Sequence, residues 1–361
     1  MTNRWYRTNA VLLIGFCALA TLFSLDRYPA DQLSSLSELQ RYLTVKSSSR
    51  KLDSEAIYPW AENNLQPITL TPEPDIEVPL FWHIPKSGGT TVKKIYECLD
   101  LTLANRAGAL ARFGHDQDEE IIKFRPWRSK GPAYVNVDTT SNGGILRAER
   151  LGLVPSGLAD IIFTVYPDFA IEHLYDETHK GRALGLFRHP VDRLVSKFYY
   201  LQVADWERTY NPNWKNMDIA DWAKKVNNDN NNMVKKLAGK RMNAHVSEED
   251  LDIAMRTIKR RFIVGRMDEM EESIHRFNTV IGIDESEDES KKCMDKFFGH
   301  DAEKKNTNSH PKVEEGSPAW RILAKTNALD MRLYDYILQL FDEQKEIIES
   351  YTIKSTVAQE E

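Results

Sequence analysis

The chain contains 361 residues, of which 41% are hydrophobic, and its formal net charge is -6. The length and the hydrophobic content allow one large domain or two ordinary ones with a sizeable buried core. The acidic balance argues against a general nucleic-acid-binding protein, and three cysteines are too few for a disulfide-rich scaffold.

The N-terminal segment has the pattern of a membrane-targeting sequence. Arg4 and Arg7 precede an apolar run, residues 10–25, that carries no charged side chain. Positive charge before such a run directs the N-terminus towards the cytoplasm, so we predict a cytoplasmic tail over 1–9 and a transmembrane signal anchor over 10–25. The triplet Ala18–Ala20 also fits a signal-peptidase site, which makes a cleaved signal peptide the alternative. Either interpretation places the rest of the chain in the secretory lumen.

A polar segment, residues 26–75, follows and is rich in Ser, Glu and Pro. This composition favours a stem or linker over a packed core. The folded domain is predicted over 76–350, with a C-terminal tail over 351–361. Two cysteines, Cys98 and Cys293, lie within that domain. In an oxidising compartment they could form one bridge, and two buried free thiols are the equal alternative.

Short apolar runs alternate with amphipathic segments along the predicted domain. An alternation of strands and helices predicts an α/β fold, with a central parallel sheet flanked by helices in a three-layer sandwich. The predicted strands fall within 76–84, 159–165, 182–187 and 261–266. The predicted helices fall within 88–101, 190–202, 249–260, 270–281 and 328–348.

The sequence "PKSGGTT", residues 85–91, joins the first predicted strand to the first predicted helix. Glycines let the backbone approach a ligand closely, and the N–H groups and dipole of a helix N-terminus favour an anion. The lysine precedes the glycines, which is the reverse of the Walker A order. We therefore predict a P-loop-like anion cradle formed by Lys86, Ser87, Gly88, Gly89, Thr90 and Thr91.

A second candidate anion site lies in "LFRHPVDRLVSKFYY", residues 186–200. Arg188 ends a predicted strand, and Ser196 follows about two turns into the next predicted helix. An arginine at a strand end and a hydroxyl reaching back towards it could clamp a separate phosphate.

Together the two sequences resemble the sulfotransferases that use 3′-phosphoadenosine 5′-phosphosulfate (PAPS). In that family a Pro-Lys-Ser/Thr-Gly-Gly-Thr loop holds the 5′-phosphosulfate, and an Arg…Ser pair holds the 3′-phosphate. The forms "HIPKSGGTT" and "FRHPVDRLVSKFYY" look most like the Golgi carbohydrate sulfotransferases, including the heparan sulfate 2-O- and 6-O-type enzymes and their microbial relatives. The resemblance covers roughly residues 78–345. It implies a single-pass type II Golgi protein whose lumenal domain uses PAPS as co-substrate and needs no metal.

Sulfuryl transfer requires stabilisation of the leaving phosphate oxygen and a base for the acceptor hydroxyl. Lys86 is the residue that we expect to stabilise the leaving group. Many relatives carry a Gly-His-x-x-Phe-Gly-x-His run where this chain has "FTVYPDFAIEHLYDE", so the Gly-His pair is replaced. We expect His173 to be the base, with Glu172 second and Asp168 third, and an ordinary structural role for His173 is the equal alternative.

The expected acceptor is a carbohydrate. Lys235, Lys236, Lys240 and Arg241 form a basic patch that could receive an anionic glycan, although a solvated helix face is the simpler interpretation. Four other functions stay open: transfer to a small alcohol or lipid, transfer to a tyrosine hydroxyl, ATP-dependent phosphoryl transfer, and glycan binding without turnover.

Overall fold

The computed structural model describes residues 56–106, 114–126, 131–207, 209–225, 229–300 and 310–359. The predicted cytoplasmic tail, the predicted signal anchor and most of the predicted stem lie outside these residues. No helix within the described ranges is long and apolar enough to cross a membrane.

A seven-stranded sheet forms the centre of the described structure, in the order β3-β4-β2-β5-β1-β6-β7. All neighbouring strands pair in parallel except β3 and β4, which are antiparallel. The strands are β1 (Pro79–Trp82), β2 (Leu103–Ala104), β3 (Lys123–Phe124), β4 (Tyr134–Val135), β5 (Ile161–Thr164), β6 (Arg182–Phe187) and β7 (Phe262–Arg266).

Helices connect the strands and cover the sheet. They are α1 (Pro59–Asn64), α2 (Gly89–Cys98), α3 (Asn142–Arg150), α4 (Pro167–Leu174), α5 (Pro190–Tyr200), α6 (Ile219–Lys225), α7 (Asn232–Leu237), α8 (Glu248–Arg261), α9 (Met270–Ile281), α10 (Asp288–Phe298), α11 (Pro318–Thr326) and α12 (Ala328–Gln359). The described residues form one compact unit.

The central strands are buried on both faces, and their alternating side chains enter two different cores. On β1, Leu80 and Trp82 pack in the core that contains α7 and α8, whereas Phe81 packs in the core that contains α2 and α9. Successive side chains of a strand point to opposite faces, so helices must cover both sides of this sheet. The predicted α/β fold with a central sheet flanked by helices is therefore confirmed, and the predicted parallel pairing holds for every pair of neighbouring strands except β3 and β4.

The core begins upstream of Ile76, the residue at which the sequence placed the start of the domain. Three apolar residues in and around α1 are buried in the core that contains α7 and α8, namely Ile57, Ala61 and Leu65. Ile68 is buried in the core on the other face of the sheet. The backbone of this segment also pairs with the residue that precedes β6, since Gln66 N donates to Gly181 O at 2.8 Å. These four apolar residues recur every three or four positions, so the last part of the expected linker packs against the domain.

The C-terminal helix also extends past the expected domain end at residue 350. α12 runs to Gln359, and Tyr351 is buried against Ile68 with its hydroxyl donating to the Ile68 carbonyl. Cys98, at the end of α2, forms a disulfide with Cys293 in α10. Of the two alternatives that the sequence left open, the structure therefore has the disulfide and not two free thiols.

Candidate functional site

Three adjacent strands end at one edge of the sheet and place the two candidate anion-binding sequences side by side. β1 pairs in parallel with β5 on one side and with β6 on the other. The loop after β1 contains Lys86, and Arg188 directly follows β6. In open α/β sheets, ligands bind outside the carboxyl ends of the strands, so this edge is the candidate site.

The loop between β1 and α2 has the backbone conformation of a cradle. Lys86 has a φ of 69° and Gly88, the N-cap of α2, has a φ of 85°. Thr91 N and Val92 N donate to Gly88 O, whereas the N–H groups of Gly88, Gly89 and Thr90 have no acceptor among the described residues. Free amides at a helix N-terminus can donate to an anion.

Gly89 allows a close approach between this loop and the preceding strand. A Cβ atom on Gly89 would lie 2.6 Å from His83 Cδ2, so no larger residue fits without moving the imidazole. Burial, together with Lys93 and Lys86, lowers the pKa of His83 to about 4. His83 is therefore neutral near pH 7 and adds no charge to the cradle.

The buried hydroxyl of Ser87 is a further feature of the same loop. It is 1% exposed, and its Oγ atom has no hydrogen-bond partner among the described residues. A buried hydroxyl without a partner is costly. A ligand oxygen reaching this part of the loop would satisfy it, which fits the predicted role in anion binding.

Lys86 lies over an aromatic ring that the sequence analysis did not single out. Its Nζ atom is 3.9 Å from the centroid of the Tyr200 ring, at the end of α5. Burial and the nearby Arg188 guanidinium lower the pKa of Lys86, and Glu207 opposes them. A partly desolvated ammonium beside a second cation favours an incoming anion.

Arg188 donates a hydrogen bond to the same loop. Its Nη1 atom donates to the backbone carbonyl of Lys86 at 3.0 Å. Burial lowers the pKa of Arg188, which nevertheless stays a cation at any physiological pH. Ser196 lies two turns into α5 and is 4% exposed.

A buried ion-pair cluster fixes the helix that carries Ser196. Arg193 Nη1 and Lys197 Nζ lie 3.1 Å and 3.0 Å from Asp229 Oδ2. Burial alone would raise the pKa of Asp229, but the two cations bring it below its usual value. Because buried charges are stable only when they are paired, this cluster holds α5 in one position.

The structure places the predicted base residues on α4, which follows β5. His173 lies in the last turn, where its Nδ1 atom is 2.8 Å from Glu149 Oε2 and its ring is 4.2 Å from Phe169. Glu172 is exposed beside it. At 1.5 Å per residue, His173 is about 9 Å along the helix from Pro167, which begins α4 near the site edge. Asp168, the third candidate, lies in the first turn and is 3.4 Å from Lys236 Nζ.

The expected basic patch consists mainly of paired lysines. Lys235 is buried and donates to Met242 O at 2.9 Å. Lys240 Nζ is 3.0 Å from Asp250 Oδ1. These contacts give the lysines structural roles and leave fewer free cations for a polyanion.

The first three tryptophans that follow α5 along the chain differ in their exposure to solvent. Trp214 and Trp222 pack with Phe198 beneath α5. By contrast, Trp206 is 72% exposed, and its Nε1 atom donates to Tyr200 OH at 3.2 Å. Tyr200 and Glu207 carried no sequence signal. Tyr200 ends α5 and contacts Lys86 through the packing of that helix beside the loop, whereas Glu207 reaches Tyr200 through the turn after α5.

The described residues contain no group of three or more His, Cys, Asp or Glu side chains that could hold a metal ion. No protein-family model matches the chain, and no curated protein sequence matches it. The fold and the site together define an α/β protein with a candidate anion-binding site at the carboxyl edge of its sheet.

Proposed function

We propose that the protein is a sulfotransferase that transfers a sulfuryl group from PAPS to a hydroxyl of a carbohydrate acceptor. The observation that carries the proposal is the contact between Arg188 Nη1 and the Lys86 carbonyl at 3.0 Å. It joins the two sequences that resemble the 5′- and 3′-phosphate loops of PAPS-dependent enzymes. A P-loop-like three-layer sandwich is the corresponding proposal for the fold.

The 5′-phosphosulfate and the 3′-phosphate of the nucleotide each have candidate partners at this edge of the sheet. The free amides of Gly88, Gly89 and Thr90 would bind the 5′-phosphosulfate, with the hydroxyls of Ser87, Thr90 and Thr91 as further donors. Arg188 and Ser196 would bind the 3′-phosphate, which distinguishes PAPS from nucleotides that lack it. An arginine fork suits phosphate geometry, and its bond to Lys86 O sets the spacing between the two phosphate sites.

Transfer proceeds by in-line displacement at sulfur. The acceptor oxygen forms a new S–O bond while the bond to the 5′-phosphate oxygen breaks, and the electron pair of that bond stays on the phosphate. Lys86 would neutralise this developing charge. The acceptor proton must pass to a base, for which His173 and Glu172 stay predictions of the sequence.

The disulfide supports the proposed cellular location. A Cys98–Cys293 bridge forms and persists in an oxidising compartment such as the secretory lumen. We therefore propose a Golgi membrane protein anchored through residues 10–25, with its catalytic domain in the lumen.

Calorimetric binding of adenosine 3′,5′-diphosphate and of adenosine 5′-diphosphate to the full chain, first without magnesium and then with it, tests the proposal. We expect binding of the 3′-phosphorylated nucleotide and a 10- to 100-fold loss in Arg188→Ala, since hydrogen bonds to charged groups contribute about 1.5–3 kcal/mol. Arg150→Ala, at an exposed residue of α3, is the matched control. Equal affinity for both nucleotides, or binding only of the 5′-diphosphate with magnesium, would favour phosphoryl transfer instead.

A further inference from the structure

Three side chains at the end of α5 and in the loop after it form a connected group beside Lys86. Tyr200 OH donates to Glu207 Oε1 at 2.9 Å and accepts from Trp206 Nε1 at 3.2 Å. Lys86 Nζ lies 3.9 Å from the centroid of the same tyrosine ring. We call Tyr200, Trp206 and Glu207 the aromatic–acid group.

We propose that the aromatic–acid group is the acceptor subsite, in which Glu207 takes the proton of the acceptor hydroxyl and Trp206 stacks on the sugar ring. This inference rests on the proposed sulfuryl transfer and assigns residues to its second substrate.

The proximity of Glu207 to Lys86, through Tyr200, supports its assignment as the base. The reacting sulfur must lie near Lys86, and the acceptor hydroxyl must lie next to that sulfur on the side away from the leaving phosphate. Glu207 is separated from the Lys86 ammonium by a single phenol ring, and its charge opposes the depression of the Lys86 pKa. The carboxylate therefore interacts electrostatically with the lysine but forms no ion pair with it. Both groups thus stay available to the substrates.

Tyr200 positions the carboxylate. Its hydroxyl occupies Oε1 of Glu207, which leaves Oε2 for an acceptor hydroxyl. Burial, followed by the bond to Glu207, raises the pKa of Tyr200, so the phenol keeps its proton and continues to donate it. A base whose orientation is fixed by a neighbouring donor is a recurrent arrangement in catalytic sites.

The residues on α4 are less well placed for this step. His173 is held by Glu149 and Phe169 in the last turn of the helix, whereas Lys86 lies at the edge where the helix begins. Asp168 is nearer to that edge, but it lies 3.4 Å from Lys236 Nζ. Proton transfer requires hydrogen-bond reach of the acceptor hydroxyl, and Glu207 is the candidate that lies on the Lys86 side.

Trp206 supplies an apolar face suited to a sugar. The side chain is 72% exposed, yet the bond from its Nε1 atom to Tyr200 OH fixes its orientation. Its ring crosses the Tyr200 ring at 71° with the centroids 6.3 Å apart. An exposed indole with a fixed edge has faces available for the C–H groups of a pyranose ring, and it lies within one residue of the proposed base.

The proposed step balances. The acceptor O–H bond breaks as the S–O bond to the acceptor forms, and the proton passes to Glu207 Oε2. The bond between sulfur and the 5′-phosphate oxygen breaks, and its electron pair stays on adenosine 3′,5′-diphosphate beside Lys86. The carboxylic acid then returns its proton to solvent.

The first experiment measures the release of adenosine 3′,5′-diphosphate from PAPS by the full chain, with water alone and with heparosan, chondroitin or chitohexaose added. We expect Glu207→Gln to lower kcat by at least about 100-fold, the usual contribution of a general base, while its affinity for adenosine 3′,5′-diphosphate stays within about twofold. Glu207→Asp should recover part of the rate, and the loss of rate on the acid side of the pH profile should disappear in Glu207→Gln. Asp205→Asn, at an exposed carboxylate in the same loop, is the matched control.

The second experiment tests whether Trp206 binds the sugar ring without taking part in the transfer step. Trp206→Ala should raise KM for the saccharide that serves as acceptor by about tenfold with little change in kcat, and Trp206→Phe should have a smaller effect. An unchanged KM in Trp206→Ala would overturn the stacking role. If none of the three saccharides accepts sulfate, the carbohydrate acceptor is contradicted, and release with water as acceptor still tests Glu207.

The outcomes separate this inference from the proposed function. A wild-type protein that neither binds adenosine 3′,5′-diphosphate nor releases it from PAPS would overturn the sulfotransferase itself. Normal wild-type turnover with an unimpaired Glu207→Gln variant would overturn only the assignment of the base. A larger loss in His173→Asn than in Glu207→Gln would return that role to α4.

Discussion

The guanidinium of Arg188 donates to the backbone carbonyl of Lys86 at 3.0 Å, although the two residues are 102 positions apart in the chain. The contact exists because β1 and β6 are adjacent parallel strands whose carboxyl ends meet at one edge. A residue expected to bind one phosphate thereby shapes the backbone of the loop expected to bind the other. Changes at Arg188 should consequently affect both halves of the nucleotide site.

Replacing Arg188 with lysine tests whether the fork geometry is needed. A lysine ammonium keeps the charge, but it cannot donate to the Lys86 carbonyl and bind a phosphate in the bidentate manner of arginine. We expect Arg188→Lys to bind adenosine 3′,5′-diphosphate about tenfold more weakly, with a change in stability of less than about 1 kcal/mol. Calorimetry and thermal unfolding measure the two effects, and Arg150→Lys is the control. Wild-type affinity in Arg188→Lys would show that charge alone suffices.

Replacing Gly88 with alanine tests the cradle itself. Gly88 has a φ of 85°, and an added Cβ would lie 2.6 Å from Met270 Cε and 3.1 Å from Leu186 Cδ2. A left-handed conformation costs an alanine about 1–2 kcal/mol, so Gly88→Ala should lose at least that stability and most of its nucleotide affinity.

A second glycine provides the control for this prediction. Gly152 has a similar φ of 73° but nothing within 4 Å of its added Cβ. Gly152→Ala should therefore show the backbone cost in urea unfolding while binding the nucleotide normally. Equal binding losses in the two variants would contradict a local effect of Gly88 on the site.

The central part of the fold follows from local patterns in the sequence. The apolar run "RALGLF" is β6, from Arg182 to Phe187, and "MEESIHRFNTVI" is α9, from Met270 to Ile281. These elements are long enough to display an apolar run or a helical period. The meeting of the two candidate anion-binding sequences at one edge then follows from parallel pairing.

The other parts of the fold and of the site depend on contacts between distant segments of the chain, which local sequence patterns do not show. β2, β3 and β4 have two residues each, which is too short for any periodicity, and their pairing is decided by the strands and loops around them. The helix over Pro59–Asn64 lies in a polar stretch whose few apolar residues gave a weak signal. Tyr200 contacts Lys86 through the packing of α5, and Glu207 reaches Tyr200 through the turn after that helix, so no spacing in the sequence could predict these contacts.

Removing the disulfide should destabilise the domain. The Cys98–Cys293 bridge joins residues 195 positions apart, and a bridge that closes a long loop restricts the unfolded chain strongly. We expect Cys293→Ser to lower the free energy of unfolding by about 2–5 kcal/mol. Urea unfolding with and without a reductant measures the effect.

Reduction of the wild-type protein supplies the check on this prediction. Reductant should bring the wild type to the stability of the variant with both cysteines replaced, Cys98→Ser with Cys293→Ser, and should leave that double variant unchanged. A wild type that is insensitive to the reductant under unfolding conditions would contradict a stabilising role of the bridge.

The last prediction concerns acid stability and the loop against which His83 packs. Burial, with Lys93 and Lys86 nearby, lowers the pKa of His83 from 6.5 to about 4 in the folded protein. The unfolded chain therefore binds the proton more tightly, so the contribution of His83 to stability is complete above about pH 6.5 and is lost as the pH falls towards 4.

The wild-type free energy of unfolding should accordingly fall over this range by up to about 3 kcal/mol more than that of His83→Gln, which has no imidazole to charge. Urea unfolding at a series of pH values gives the two curves, and His245→Gln, at an exposed histidine, should follow the wild type. Because the His83 ring lies against Gly89, charging it would also disturb the cradle, so the nucleotide affinity of the wild type should decline only as the pH approaches 4, where the folded protein takes up the proton. Parallel curves for the wild type and His83→Gln would show that folding does not lower the pKa of the imidazole.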